Sequence, residues 1–366
     1  METLMMKFNR NLPYNDLPPL PPQGDLETKE ILKKAITANK ALAKLVGSGK
    51  QLPNQSILIN SIVLQEAKLS SEIENIVTTN DELYQAFASD KKVTDLNTKE
   101  VLHYQEALWE GFQSIKKRGL ITTNLIVSVC NIIKETGAGI RKTPGTKITN
   151  HKTGEVIYTP PEGEDVIRTL LHNLEQYVNL NDDGIDPLIK MAVMHYQFEA
   201  IHPFTDGNGR TGRILNILYL VKNNLLEIPI LYLSKYIIDH KAKYYTGLRS
   251  ITEKNDWKEW ILYILDGVEQ TALYTQNKID AIIELQAKTD HTIKKELPDI
   301  YSKELVEVIF RQPYCKRKFL EDAKLVKEKT AGVYLSELEK IGVCTSKKVG
   351  KEKLYINTKL FDILKK

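Results

Sequence analysis

The feature that most constrains this chain is the spacing of its apolar residues, which follows a helical period over most of its length. Between residues 26 and 297, apolar positions recur every three or four residues, and several of these runs end at glycines. This spacing predicts a mostly helical fold. The predicted helices cover residues 26–46, 57–75, 96–118, 121–135, 165–178, 186–200, 210–223, a region from 236 to 252, and a long helix from 256 toward 297.

One short stretch breaks the helical pattern. Two runs favouring β-structure, residues 147–149 and 155–158, flank a polar turn that contains Asn150 and Gly154. Such runs around a glycine-containing turn are typical of a β-hairpin. We therefore predict a small hairpin inserted between helices.

Residues 298–366 have a different pattern from the rest of the chain. Three predicted helices, 302–310, 316–323 and 329–340, precede two strand-like runs at 343–346 and 353–356. Three helices followed by a basic hairpin are similar to a winged helix. This tail has 16 lysines and arginines against 10 acidic residues, whereas residues 1–297 have 35 against 37. The net charge of +4 therefore comes from the tail.

The N-terminal arm contains four prolines within five residues: Pro18, Pro19, Pro21 and Pro22. Proline fixes φ and lacks an N–H donor, so this run favours extended polyproline II over helix. Two interpretations remain open: an arm packed along the domain surface, or a ligand for a proline-binding module.

Composition excludes several protein classes. With 42% hydrophobic and 27% charged residues, the chain is neither disordered nor fibrous, and its 366 residues suit two or three domains. Cys130, Cys315 and Cys344 form no CxxC pair, so we expect neither a disulfide framework nor a cysteine zinc site, and a reducing cytoplasm fits best. We expect no signal peptide and no membrane span.

The loop at residues 201–213, sequence IHPFTDGNGRTGR, carries the strongest chemical signal. Pro203 disfavours helix at His202, and a new helix is predicted from Arg210. Between them, Gly207 and Gly209 allow positive φ and a close approach of the backbone to a ligand. Backbone N–H groups entering a helix N-terminus form an anion site.

Charged residues in this loop extend the anion site. Arg210 and Arg213 are three residues apart, so both can bind a chain of phosphates. Asp206 alone would repel phosphate, and a carboxylate here suggests a bridging Mg²⁺. His202 can be neutral at working pH and act as a general base. Together these residues indicate phosphoryl or nucleotidyl transfer to an acceptor hydroxyl.

The segment HPFTDGNGRTGR, residues 202–213, resembles the Fic family signature HPFx(D/E)GN(G/K)RxxR at every fixed position. The resemblance extends over most of residues 10–290. It implies an all-α Fic fold with a small β-hairpin flap, followed here by the winged-helix-like tail. It also implies that the protein is a nucleotidyltransferase moving AMP from ATP to a Ser, Thr or Tyr hydroxyl of a target protein.

The resemblance also implies roles for individual residues. His202 would deprotonate the acceptor hydroxyl and Asp206 would hold Mg²⁺ between the α- and β-phosphates. Residues of the following loop and helix would bind the nucleotide: Gly207, Asn208 and Gly209 around the phosphates, Arg210 and Arg213 on the β- and γ-phosphates, together with Thr211 and Gly212.

Other residues are assigned on weaker similarity. Tyr244 and Tyr245 would line the nucleotide pocket, with core or surface aromatics as the alternative. The hairpin, with Ile148, Thr149 and Tyr158, would dock the target backbone as an added strand. His195 has no metal-binding spacing to the motif, and we expect it to be a core or helix-end histidine.

The segment LSSEIENI at residues 69–76 resembles the inhibitory motif (S/T)xxxE(G/N) of Fic proteins, with Ser70, Glu74 and Asn75 at the fixed positions. The resemblance implies that Glu74 pairs with Arg213 and keeps ATP in a non-productive pose. It also leaves open a second activity, AMP removal, in which the same glutamate orients water.

The expected organisation is an N-terminal arm and helical region with the inhibitory helix (1–95), a Fic catalytic domain (96–297) and a winged-helix-like domain (298–366).

Two alternatives to AMP transfer remain: transfer of another nucleotide or phosphate group, and a DNA-binding regulator with a Fic sensor. The expected partner is a target protein with an exposed hydroxyl, including the chain itself. A homodimer and DNA binding by the tail remain open. The candidate recognition helix, VKEKTAGVYLSELEK at residues 326–340, has as many glutamates as lysines, which weakens a role in the major groove of DNA.

Overall fold

The computed structural model describes residues 8–52, 54–88, 93–137, 139–150, 153–181, 183–350 and 352–365. Most of them are helical, as the apolar spacing predicts. The helices are α1 (Lys29–Gly49), α2 (Ser56–Ile73), α3 (Asn80–Ala88), α4 (Leu96–Arg118), α5 (Thr123–Lys134), α6 (Glu164–Asn179), α7 (Pro187–Ile201), α8 (Asn208–Lys222), α9 (Leu233–Asp239), α10 (Lys241–Lys254), α11 (Trp257–Glu296), α12 (Lys303–Phe310), α13 (Arg317–Asp322), α14 (Glu328–Lys340) and α15 (Thr358–Lys365).

The strands are β1 (Ile148–Thr149), β2 (Val156–Tyr158), β3 (Tyr314–Cys315), β4 (Thr345–Val349) and β5 (Glu352–Ile356). β1 and β2 pair antiparallel, which confirms the predicted hairpin. The three C-terminal strands form an antiparallel sheet of order β3–β5–β4. Together with α12, α13 and α14 this gives the order helix, strand, helix, helix, strand, strand; the winged-helix assignment stays a prediction.

The predicted helices are confirmed with ends shifted by a few residues. Three short elements, α3, β3 and α15, were not predicted. They are two to nine residues long, so the apolar period has too few repeats to be recognised. Residues 236–252, predicted as one helical region, form two separate helices, α9 and α10, with His240 between them.

The described residues fall into two compact units. Unit 1 comprises residues up to 42, 103–229 and 233–270. Its core is built on α7 and α8, in which nearly every side chain is buried. A helix that is covered on all sides needs no polar face, which explains why residues 214–221 are apolar except for the buried Asn216. The loop between α7 and α8 carries the HPFTDGNGR segment.

Unit 2 comprises residues 43–102, 230–232 and 271–366. It therefore groups α2 and α3 with the C-terminal helices and the three-stranded sheet. A small apolar cavity in this unit is lined by Cys315, Cys344 and Tyr355 among others. All three cysteines of the chain are buried free thiols.

Among the described helices, none combines the length and the apolar character that crossing a membrane requires.

Candidate active site

The end of α7 sets the position of His202. The helix stops where Pro203 follows, and His202 takes a left-handed conformation with φ of 48°. Its backbone N–H donates to the Phe198 carbonyl at 3.0 Å. Its carbonyl accepts a hydrogen bond of 2.8 Å from Nε of Arg141, a buried side chain that the sequence analysis did not single out. The histidine backbone is thus fixed from both sides.

Asp206 lies among positive groups. Its Oδ1 accepts from the Gly207 backbone N–H at 2.5 Å and from Arg210 at 3.2 Å, and its Oδ2 is 2.6 Å from Nζ of Lys134. Partial burial alone would raise the pKa of Asp206, but the Lys134 hydrogen bond and the Arg210 charge outweigh it and hold the pKa below its ordinary value. The side chain is 58% exposed, so an ionised carboxylate faces solvent.

The turn into α8 depends on Gly207 and Asn208. Gly207 has φ of 84°, which favours glycine. The Asn208 amide accepts from the Phe204 N–H at 2.8 Å and donates to the Phe204 carbonyl at 2.7 Å. This side chain therefore closes the loop on itself. The first turn of α8 then presents backbone N–H groups and the positive end of the helix dipole.

Arg210 and Arg213 project from the first two turns of α8 and are only 1% and 2% exposed. Buried guanidinium groups stay charged and require anionic or polar partners. The charge of Arg213 also acts on His195: burial first, and this charge second, lower the histidine pKa to about 3. The structure thus confirms that His195 is a core residue, stacked on Trp260 with ring centroids 5.9 Å apart.

The two tyrosines assigned to the nucleotide pocket have different surroundings. Tyr244 is buried, and its hydroxyl is 2.9 Å from Nε2 of His195. Burial raises the pKa of Tyr244, as does the charge of Glu199, so this tyrosine is neutral. Tyr245 is 50% exposed. A role in nucleotide binding stays a prediction for both.

The hairpin is tied to the motif by one side chain. Ile148 pairs with Tyr158, and the Tyr158 hydroxyl donates to the Ala200 carbonyl at 2.8 Å, two residues before His202. On its other side, the Tyr158 ring stacks on Phe8 with centroids 5.9 Å apart. Thr149, the last residue of β1, is exposed. The flap assignment of Ile148, Thr149 and Tyr158 stays a prediction.

The predicted inhibitory segment lies at the C-terminal end of α2. Ser70 is buried, Glu74 follows the last helical residue, and Asn75 has φ of 65°. This confirms that the segment is a helix end. Its residues belong to unit 2, whereas the HPFTDGNGR loop belongs to unit 1.

Asp206 is the residue that suits a cation. No group of three or more His, Cys, Asp or Glu side chains that could hold a metal occurs among the described residues. Mg²⁺ is commonly bound by one or two carboxylates plus substrate phosphates rather than by an all-protein cage. A half-exposed ionised carboxylate beside a helix N-terminus fits that arrangement.

Gly212 allows α7 and α8 to approach closely. A Cβ at this position would lie 2.6 Å from Oε1 of Glu199 and 3.0 Å from the Phe198 ring. We expect Gly212→Ala to lower the free energy of unfolding by about 1–3 kcal/mol, through overpacking. Urea denaturation measures this change in the free energy of unfolding. The control is Gly47→Ala in α1, where a Cβ has open space and alanine favours helix. Equal or higher stability of Gly212→Ala would contradict the expected crowding.

Comparison with known protein families gives three matches. The model of the Fic/DOC family N-terminal region matches residues 32–113, and that of the Fic/DOC family matches residues 76–220. Together these span residues 32–220, more than half of the chain, and include the whole motif.

The chain belongs to the Fic/DOC family. A third model, for the C-terminal domain of SoFic-like protein adenylyltransferases, matches residues 285–360 of this Fic chain.

Curated proteins similar to this chain are named protein adenylyltransferases. A probable protein adenylyltransferase of Aquifex aeolicus is 28% identical over 185 residues, which are 49% of this chain and 54% of the relative. The protein adenylyltransferase of Caenorhabditis elegans is 32% identical over 110 residues, 29% of this chain and 20% of the relative. The Fic chain thus spans about half, or less, of the length of these relatives.

Solved structures share the fold at low identity. A Fic family protein from Desulfovibrio desulfuricans has a TM-score of 0.55 at 16% identity, over 90% of this chain and 96% of that one. The Fic-1 structure from C. elegans has a TM-score of 0.54 at 19% identity, over 69% and 74%. These similarities place the described residues in the Fic fold.

Proposed function

We propose that this Fic chain is a protein adenylyltransferase that transfers AMP from ATP to a Ser, Thr or Tyr hydroxyl of a protein. The observation that carries the proposal is the arrangement of the α7–α8 loop, in which His202, the ionised Asp206 and two buried arginines surround one helix N-terminus. The names of the curated relatives agree with this activity.

In the proposed reaction, His202 accepts the proton of the acceptor hydroxyl. The hydroxyl oxygen then forms a bond to the α-phosphorus, while the bond from that phosphorus to the bridging oxygen of the β-phosphate breaks. Pyrophosphate leaves, and the proton remains on His202 until it passes to solvent. Arg141 holds the His202 carbonyl and so keeps the imidazole at the loop.

The triphosphate is held by positive groups that are already in place. Arg210 and Arg213 bind the β- and γ-phosphates, and the N–H groups of residues 207–209 at the start of α8 bind phosphate oxygens. Their burial fixes the guanidinium groups before ATP arrives, which reduces the ordering that binding requires. Asp206 would hold Mg²⁺, which supplies neutralisation of the phosphate charge.

We further propose that Glu74 restrains this activity by pairing with Arg213 and removing it from the γ-phosphate. The support is the match of Ser70, Glu74 and Asn75 to the inhibitory motif in a chain that also carries the complete Fic signature. The same carboxylate, by orienting water, would allow this Fic chain to remove AMP from a modified protein.

The experiment is mass spectrometry of a cell lysate treated with ATP and the Glu74→Gly protein, with Glu74→Gly/His202→Ala as the matched control. We expect peptides carrying AMP on a Ser, Thr or Tyr only when His202 is present. A mass shift other than AMP, such as phosphate or UMP, would contradict the proposed reaction, as would modification that persists without His202.

A further inference from the structure

Lys134, at the end of α5, forms an ion pair with Asp206, the carboxylate that the proposed function assigns to the metal. Its Nζ is 2.6 Å from Oδ2 of Asp206, while Oδ1 is taken by the Gly207 N–H and by Arg210. Both oxygens of the carboxylate therefore have partners. The lysine is 72 residues away in the sequence, and only the packing of α5 against α8 brings it here.

Gly207 allows the lysine to reach this position. A Cβ on Gly207 would lie 3.3 Å from Cγ and 3.5 Å from Cδ of Lys134. The apolar stem of the lysine thus runs directly along the glycine, and the side chain is only 24% exposed. Its ammonium is held toward Asp206 rather than spread over many solvent-exposed positions.

We propose that Lys134 is a positioning residue whose ammonium competes with the divalent cation for Asp206. The inference rests on the proposed function, in which Asp206 holds Mg²⁺. A cation bound to Oδ2 would lie beside the ammonium, and two positive groups on one oxygen repel each other strongly at half-buried sites. Lys134 therefore leaves Asp206 when the metal arrives. Before this exchange Lys134 keeps Asp206 ordered, and the competition sets the metal concentration at which the site fills.

The test is the affinity of the nucleotide-free protein for Mn²⁺, measured by the water-proton relaxation that bound Mn²⁺ produces. We expect Lys134→Met to bind Mn²⁺ about 3- to 10-fold more tightly than the unaltered protein. The control is Lys258→Met, which removes a lysine paired with Glu30 at the same distance of 2.6 Å but on other helices.

Unchanged or weaker Mn²⁺ affinity in Lys134→Met would overturn the competition. Asp206→Asn separates this failure from failure of the proposed metal site. If it loses Mn²⁺ binding while Lys134→Met is unchanged, only the role of Lys134 is wrong. If it binds Mn²⁺ normally, Asp206 is not the metal ligand, and both proposals fall.

A second, independent observation concerns unit 2, where the helices on either side of Glu74 are held by C-terminal residues. Asp81 at the start of α3 accepts hydrogen bonds from the Tyr314 hydroxyl of β3 and from Lys347 of β4, the latter at 2.7 Å. The Tyr84 ring of α3 stacks on Tyr314 and packs edge-on against Phe361 of α15.

The α2 helix is tied into the same cluster. Gln65 of α2 donates to the Tyr84 hydroxyl at 2.9 Å, and α15 packs on α2. The carbonyl of Leu364 in α15 is held in turn by Lys278 of α11 at 2.8 Å. Both helices that bracket Glu74 are thus anchored to residues beyond 270.

We infer that the C-terminal sheet and α15 act as a regulatory module that holds Glu74 in its restraining position through α2 and α3. The inference rests on the proposed restraint by Glu74. Anything that loosens the Asp81–Tyr314–Lys347 cluster, including a ligand of the C-terminal residues, would then raise AMP transfer without touching the catalytic loop.

The test is Asp81→Ala, for which we expect AMP incorporation to rise about 5-fold or more and amide hydrogen exchange at residues 60–76 to become faster. In a Glu74→Gly background the same change should add nothing, and retained activity there reports a folded protein. The control is Asp290→Ala, which removes another aspartate–tyrosine hydrogen bond of unit 2, 3.0 Å from Tyr301.

Two outcomes would overturn this regulation: no rise with Asp81→Ala, or an equal rise in the Glu74→Gly background. If Glu74→Gly itself produces no rise in AMP incorporation, the proposed restraint by Glu74 is wrong, and with it the regulation that depends on that restraint.

Discussion

Replacement of His202 by alanine is expected to lower AMP incorporation at least about 100-fold. A positioned general base contributes about 10²- to 10⁴-fold. The imidazole sits on a left-handed residue whose N–H and carbonyl are both hydrogen-bonded, so the backbone holds it in place. Incorporation of labelled AMP measures the effect, in the Glu74→Gly background where the expected signal is largest.

The matched control is His172→Ala, which removes an exposed histidine of α6 in the same unit. Nucleotide binding should survive in His202→Ala, because the groups proposed to bind the phosphates lie on α8. Incorporation within a few-fold of the parent protein would show that His202 is not the base.

Glu74→Gly is expected to raise AMP incorporation about 5- to 150-fold, the range of coupling between two sites in one protein. The physical reason is that the proposed pair between Glu74 and Arg213 would be lost, so that Arg213, buried on α8, could bind the γ-phosphate. Labelled ATP measures the rise, including modification of the chain itself.

Loosening of the helix end could also follow from a new glycine, since glycine costs a helix about 1 kcal/mol relative to alanine. The control is therefore Glu72→Gly, one position before the end of α2 and paired with Lys68 at 3.7 Å. A similar rise in Glu72→Gly would assign the effect to a loosened helix. No rise in Glu74→Gly would remove the proposed restraint altogether.

The conformation of the HPFTDGNGR loop could be predicted from the sequence because its determinants are local. Pro203 and Gly207 set the backbone, and the twelve residues of the motif follow one another, so spacing alone places His202 and Asp206 beside a helix N-terminus, although Gly209, expected to favour positive φ, is an ordinary residue of α8. The end of α2 could be predicted for the same reason. Long helices such as α4 and α11 repeat the apolar period often enough to be recognised.

Residues that act on the loop from a distance could not be predicted. Lys134 and Arg141 read in the sequence as an ordinary helix-end lysine and a loop arginine, yet they bind Asp206 and the His202 carbonyl. The anchoring of α3 is similar, because Asp81 meets Lys347 across 266 positions of the chain. Such pairs leave no periodic or local signal, since they depend on which elements pack together.

The sequence by itself determined a mostly helical fold, a hairpin, and a loop between two helices that carries the Fic motif with its histidine and carboxylate. Only the tertiary structure decided what surrounds that carboxylate, how the hairpin is tied to α7, and which residues hold the helices around Glu74. The physical reason is that backbone conformation follows from neighbouring residues, whereas charge pairing and burial follow from contacts between distant ones.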